Sequence, residues 1–125
     1  MKELELRLAL VFYGGVSLAI YMHGVSREVL HLVRASAGRS ARNGRKFDTS
    51  CSDRPLSPTE QTYQDLLERI GRTIDVRVVA DAIAGASAGG VNGIMLARAL
   101  AHDLPLDSHK GLWLKNADVT RLARP

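Results

Sequence analysis

Cysteine is nearly absent from this chain. Cys51 stands alone among 125 residues, which excludes an internal disulfide and any cysteine-built metal cluster. Aromatic residues are scarce at 5%, and none interleave with the cations, so the net charge of +4 does not point to nucleic acid. Long apolar runs are missing too. Leu8 to Met22 is shorter than the ~20 residues of a membrane span, and Gly14 and Gly15 break it. Glu3 and Glu5 spoil the positive leader of a signal peptide, so the cytoplasm is the expected location. No internal repeat occurs, and no metal or cofactor is expected. What remains is 46% hydrophobic and 24% charged, the make-up of one globular α/β domain.

The most informative stretch is Gly85-Ala86-Ser87-Ala88-Gly89-Gly90. Before it, Val76 to Ala84 is rich in β-branched residues and has the length of a buried strand. After it, Val91 to Leu100 is dense in helix formers. A Gly-x-Ser-x-Gly between strand and helix is a nucleophile-elbow pattern, with a strained serine at the tip and glycines where the turn leaves no room. A P-loop would need Lys and Ser/Thr where Val91 and Asn92 stand, and a dinucleotide fingerprint would need glycine in place of Ser87. A purely structural small-residue turn remains the alternative.

The N-terminus repeats the theme. Glu3 to Leu10 alternates polar and apolar residues, the period of a strand, which runs on to Tyr13-Gly14-Gly15. Leu18, Met22, Val25, Val29 and Leu32 then recur at helical spacing. A glycine turn opening a helix exposes backbone N–H groups of the kind an oxyanion hole needs, although tight packing alone would also explain the glycines.

Together, Gly14-Gly15-Val16-Ser17-Leu18-Ala19 and Gly85-Ala86-Ser87-Ala88-Gly89-Gly90 resemble the paired motifs of bacterial patatin-like phospholipase domains. Leu104-Pro105-Leu106-Asp107, followed by Leu112-Trp113-Leu114, is similar to the same group. The resemblance implies a three-layer αβα patatin-like fold with a parallel central sheet, truncated after the elbow helix. It implies serine-dependent hydrolysis of lipid esters, with Ser87 as nucleophile. It assigns the oxyanion hole to the amides of Gly14, Gly15 and Val16 with Ala88, and the elbow to Gly85, Gly89 and Gly90. Such enzymes pair the serine with an aspartate in a downstream Asp-Gly motif, and no Asp-Gly occurs here. The basic residue usual after the N-terminal glycines is replaced by Val16, Ser17 and Leu18. The other open reading is a catalytically inactive fragment, or an interaction protein that keeps the elbow without its base.

Nothing within the chain fills the place of the base convincingly. His23 lies about two helical turns past Gly15 and His102 about four past Ser87, which carries both away from the strand ends. His31 reads as a surface or flanking residue, and His109 belongs to the helix start at Asp107. Asp75, Asp103, Asp107 and Asp118 fall at element ends, where aspartate caps. Asp81 reads as a local partner.

Residues 36–58 carry Arg39, Arg42, Arg45, Lys46 and Arg54 against Asp48 and Asp53, amid serine and glycine, and read as a mobile basic loop. Solvation, or contact with anionic lipid head groups, would suit it. Ser57-Pro58-Thr59-Glu60 starts a further helix, whose buried face is expected at Tyr63, Leu66, Leu67, Ile70 and Ile74. Two strands with helical crossovers should run parallel. Two strands also cover little apolar surface, so a further C-terminal part or a partner chain is expected to complete the fold.

Overall fold

A computed structural model describes residues 2–42 and 55–116. Strand β1 (Lys2–Phe12) leads through a short 3-10 turn (Val16–Leu18) into α1 (Ala19–Arg42). Helix α2 (Pro58–Ile70), strand β2 (Ile74–Gly85), helix α3 (Ala88–His102) and helix α4 (Asp107–Asn116) follow. The two strands pair in parallel, the order that helical crossovers impose. The α/β class is therefore as expected, with two strands and four helices among the described residues.

The chain divides into two compact units. One is drawn from Met1–Ala9 and Val29–Ala82, the other from Leu10–Glu28 and Ile83–Pro125. The core of the first gathers Ala35, Leu67 and Val78, with Leu8, Leu32, Val33, Tyr63 and Val76 packed against them. Helix α2 begins as the sequence dictates. The Ser57 hydroxyl accepts from the Glu60 amide, and the Glu60 carboxylate accepts from the Ser57 amide at 2.8 Å. Its buried face is narrower than expected, since Leu67 is buried while Leu66 and Ile70 are exposed.

Two further expectations change. Helix α1 continues through Arg42, so residues 36–42 are not loop. Ser36 is buried and its hydroxyl accepts from the Val78 amide at 2.8 Å; Arg39 is buried in an ion pair with Asp75. Composition marked these residues as solvated, but each has a partner that spares it the cost of leaving water. The rest of the expected loop at 43–54, with Cys51, lies outside the described residues. The buried stripe of α1 is also offset. It runs through Ala19, Met22, His23, Ser26 and Leu30, while Leu18 and Val25 are exposed. Small and polar residues occupy that face, so counting apolar positions misses it; Ser26 manages burial by bonding back to the Met22 carbonyl at 2.8 Å.

Among the described residues, no helix is long and apolar enough to cross a membrane.

Candidate active site

Within the second unit, the end of β2 and the start of α3 form a turn at Ala86 and Ser87. Ser87 has φ 53° and ψ −128°, backbone that a residue with a side chain adopts only under strain. It is exposed, and its side chain does not cap the helix that it opens. The hydroxyl is thus presented rather than spent on the local backbone.

Packing explains the glycines around it. A Cβ on Gly85 would stand 2.5 Å from the Gly89 carbonyl oxygen. One on Gly89 would collide with the Phe12 carbonyl and stand 2.6 Å from that of Tyr13. The first turn of α3 therefore lies backbone-to-backbone on the end of β1, which only glycine permits. The Ala86 amide donates to the Phe12 carbonyl at 3.1 Å and extends the strand pairing to the elbow. Gly90 has more room, 3.3 Å from the Gly85 carbonyl oxygen.

The N-terminal glycine turn comes to the same place. A Cβ on Gly14 would be 3.2 Å from both the Ala86 carbonyl oxygen and the Ser87 Cβ. Gly15 has φ 134°, the conformation that lets the chain turn into the 3-10 segment, where the Leu18 amide donates to the Gly15 carbonyl at 3.1 Å. Among the described residues, the amides of Gly14, Gly15, Val16 and Ala88 donate to no backbone carbonyl. The two turns expected to share a site are thus adjacent, Gly14 against Ser87, at the C-terminal end of the parallel strands.

An open apolar groove of about 370 Å³ runs along the same turn, from Leu10–Tyr13 on β1 and its exit to Leu18, Tyr21, Met22 and Val25. No charged side chain lines it.

Among the described residues, nothing hydrogen-bonds the Ser87 hydroxyl. His23 is buried with its Nε2 unpartnered; burial first, and the charge of Arg27 second, hold the imidazole below its usual 6.5. His31 is not a surface residue: its Nδ1 lies 3.2 Å from the buried Glu60 carboxylate. His102 is exposed at the end of α3, and His109 sits at the start of α4 with its Nδ1 buried and unpartnered. Asp81 pairs with Arg7 at 3.6 Å, and Asp107 with Arg27 at 2.7 Å. No group of three or more His, Cys, Asp or Glu among the described residues is arranged to hold a metal ion.

Sequence reasoning missed Asn92. It is buried, and its Nδ2 donates to the Ala88 carbonyl at 3.1 Å and the Ala19 carbonyl at 3.2 Å. The signal was available: a polar amide on the first turns of an otherwise apolar helix calls for partners.

The chain is similar to the uncharacterized membrane protein Rv3479 of Mycobacterium tuberculosis, at 36% identity over 121 residues. The match covers 96% of this chain and 11% of that protein, so the chain spans about a tenth of its relative's length. No known family matches the chain, patatin-like phospholipases included. No solved structure matches. The resemblance to patatin-like domains is thereby corrected. Two short glycine motifs record close backbone approach, and that requirement arises in any fold where a helix starts against a strand end.

Proposed function

We propose that the Ser87 turn is the nucleophilic centre of a serine hydrolase that cleaves lipid esters. The observation that carries the reading is the strained, exposed Ser87 at a strand–helix junction, with Gly14 packed against it. In the reaction, the Ser87 oxygen attacks the ester carbonyl carbon and loses its proton to a base. The carbonyl oxygen takes up the negative charge, which the amides of Gly14, Gly15, Val16 and Ala88 would stabilise. Collapse expels the alkoxide, which takes that proton back from the base and leaves as the alcohol; water then cleaves the remaining acyl-serine to the free acid and Ser87. The apolar groove beginning at Tyr13 supports a hydrocarbon substituent on the substrate.

The same reading carries a wider placement: a three-layer αβα domain in the cytoplasm, with peripheral membrane contact. The parallel strand pair and the relative's description as a membrane protein support it.

A second reading is favoured by one observation, the lack of any hydrogen bond to the Ser87 hydroxyl among the described residues. It takes the chain as an inactive or interaction module that keeps the elbow.

Hydrolysis of p-nitrophenyl esters of increasing acyl length tests the two. The 125-residue chain is expected to turn over weakly, because a positioned base is worth ~10²–10⁴ in rate. Ser87→Ala is expected to remove that turnover. Hydrolysis that Ser87→Ala leaves unchanged overturns the hydrolase, and no hydrolysis by the unsubstituted chain favours the interaction module.

A further inference from the structure

We propose that Asn92 is a positioning residue, which clamps the glycine turn between Tyr13 and Ala19 onto α3. The proposal rests on the acyl-transfer reading and deepens it, because this turn carries three of the four amides assigned to the oxyanion.

The turn is tied down at both ends. At its start, the Ala86 amide donates to the Phe12 carbonyl at 3.1 Å, and Gly89 lies against the Phe12 and Tyr13 carbonyls with no room for a side chain. At its end, Ala19 donates its amide to the Val16 carbonyl, while its own carbonyl accepts from Asn92 Nδ2 at 3.2 Å. The same Nδ2 donates to the Ala88 carbonyl at 3.1 Å, one helical turn before Asn92. The side chain therefore joins the first residue of α1 to the first residue of α3, and Asn92 itself stands 73 positions from Ala19 in sequence.

Both partners are carbonyl oxygens, so the amide can face them only with its NH₂ group. That orientation leaves Oδ1 buried without a partner. Leucine would fill a similar volume with no orphaned acceptor, and aspartate would keep the shape but lose both donors. A buried asparagine with half its capacity unused is costly, and the two donated bonds are what it supplies in return. Between the anchors, Gly15 at φ 134° and Ser87 at φ 53° occupy conformations that persist only where the surroundings over-determine them. Asn92 is the only side chain among the described residues that hydrogen-bonds the carbonyl of Ala19. Without it, the later anchor is lost and the amides of Gly14, Gly15 and Val16 no longer hold one position relative to Ser87.

The test compares backbone ¹⁵N order parameters in the unsubstituted 125-residue chain, Asn92→Ala and Asn92→Asp. In the unsubstituted chain, Gly14, Gly15 and Val16 are expected near the rigid value of about 0.85. In both variants they are expected to fall below about 0.6, while Leu96 on α3 stays rigid. A turn that stays rigid in the variants overturns the clamp. Should Asn92→Ala fail to fold, Asn92→Asp, which keeps the shape, carries the comparison. Ester hydrolysis supplies the second arm: kcat is expected to fall by roughly 10²-fold with KM little changed, the signature of misplaced oxyanion donors. A loosened turn with unchanged kcat leaves the clamp standing and overturns the acyl-transfer reading instead.

Discussion

In the unit drawn from Met1–Ala9 and Val29–Ala82, buried polar side chains meet partners: Ser36 with the Val78 amide, Arg39 with Asp75, Glu60 with Ser57 and His31. Arg34 leaves only its Nε without one. In the unit drawn from Leu10–Glu28 and Ile83–Pro125, four buried polar atoms among the described residues stay unpartnered: His23 Nε2, Asn92 Oδ1, His109 Nδ1 and Trp113 Nε1. The same unit holds all the positive-φ residues among the described ones, Gly15, Ser87 and Asp103. The first unit is built for satisfaction, whereas the second, which holds the exposed serine, keeps strain and unmet hydrogen-bonding capacity. Strain and unpaired polar groups cost stability, and they concentrate where a backbone must be held for use.

The contrast can be broken most severely in the first unit. Arg39→Ala should destabilise the protein by about 1.5–3 kcal/mol, because it removes a buried, charge-assisted hydrogen bond to Asp75. Urea unfolding measures it, and a loss below 1 kcal/mol would show that this unit does not depend on its pairs.

Gly89→Ala acts on the second unit. Its methyl would meet the Phe12 and Tyr13 backbone, which cannot swing aside as a flexible side chain can, so a loss of about 1–3 kcal/mol is expected. Gly24→Ala is the control. Nothing lies within 4 Å of a Cβ there, on the exposed face of α1, and the change should stabilise by about 0.5–1 kcal/mol. Equal melting shifts of the same sign for the two variants would refute the account of Gly89.

Ser87→Gly sharpens the comparison in the opposite direction. Glycine accepts φ 53° without strain, so stability should rise by about 1 kcal/mol while any ester hydrolysis disappears. A destabilised Ser87→Gly would mean that the serine is not strained.

The smallest effect is the pH response of His23. Its imidazole binds a proton less readily in the folded state than in the unfolded chain, through burial and then Arg27. The groups that act on it are Arg27 on its own helix and Asp107, His109 and Lys110 on α4; Asp107 alone favours the charged form. The stabilising contribution is therefore complete above 6.5 and is lost as pH falls below that value, because the unfolded chain then takes up the proton first. Melting temperature against pH should show this slope in the unsubstituted chain and lose it in His23→Phe. Trp113, the only tryptophan, reports on α4 by fluorescence.

What the sequence disclosed divides along the same line. Both strands, the capping box at Ser57 and the strand–helix turn at Ser87 were legible, because each is dictated by local stereochemistry over a few residues. The adjacency of Gly14 and Ser87 was legible through strand direction, since parallel strands put their C-terminal ends together. The helical state of residues 36–42 was not, because it depends on Val78 and Asp75 far along the chain. Asn92 was missed for the same reason: its meaning lies in the Ala19 carbonyl. The patatin resemblance rested on local motifs alone and did not survive comparison with known families.

The span of 73 residues between Asn92 and Ala19 has a consequence for how the protein is made. During synthesis the glycine turn emerges early, but the elbow and the asparagine that meet it emerge only after both strands and the first two helices. A ribosome-bound chain arrested before Asn92 has the turn without its second anchor, and closing a loop of this length must await contacts that reward its entropy. The contact that anchors the end of the glycine turn thus waits on chain made long after the turn itself, whichever local elements form first.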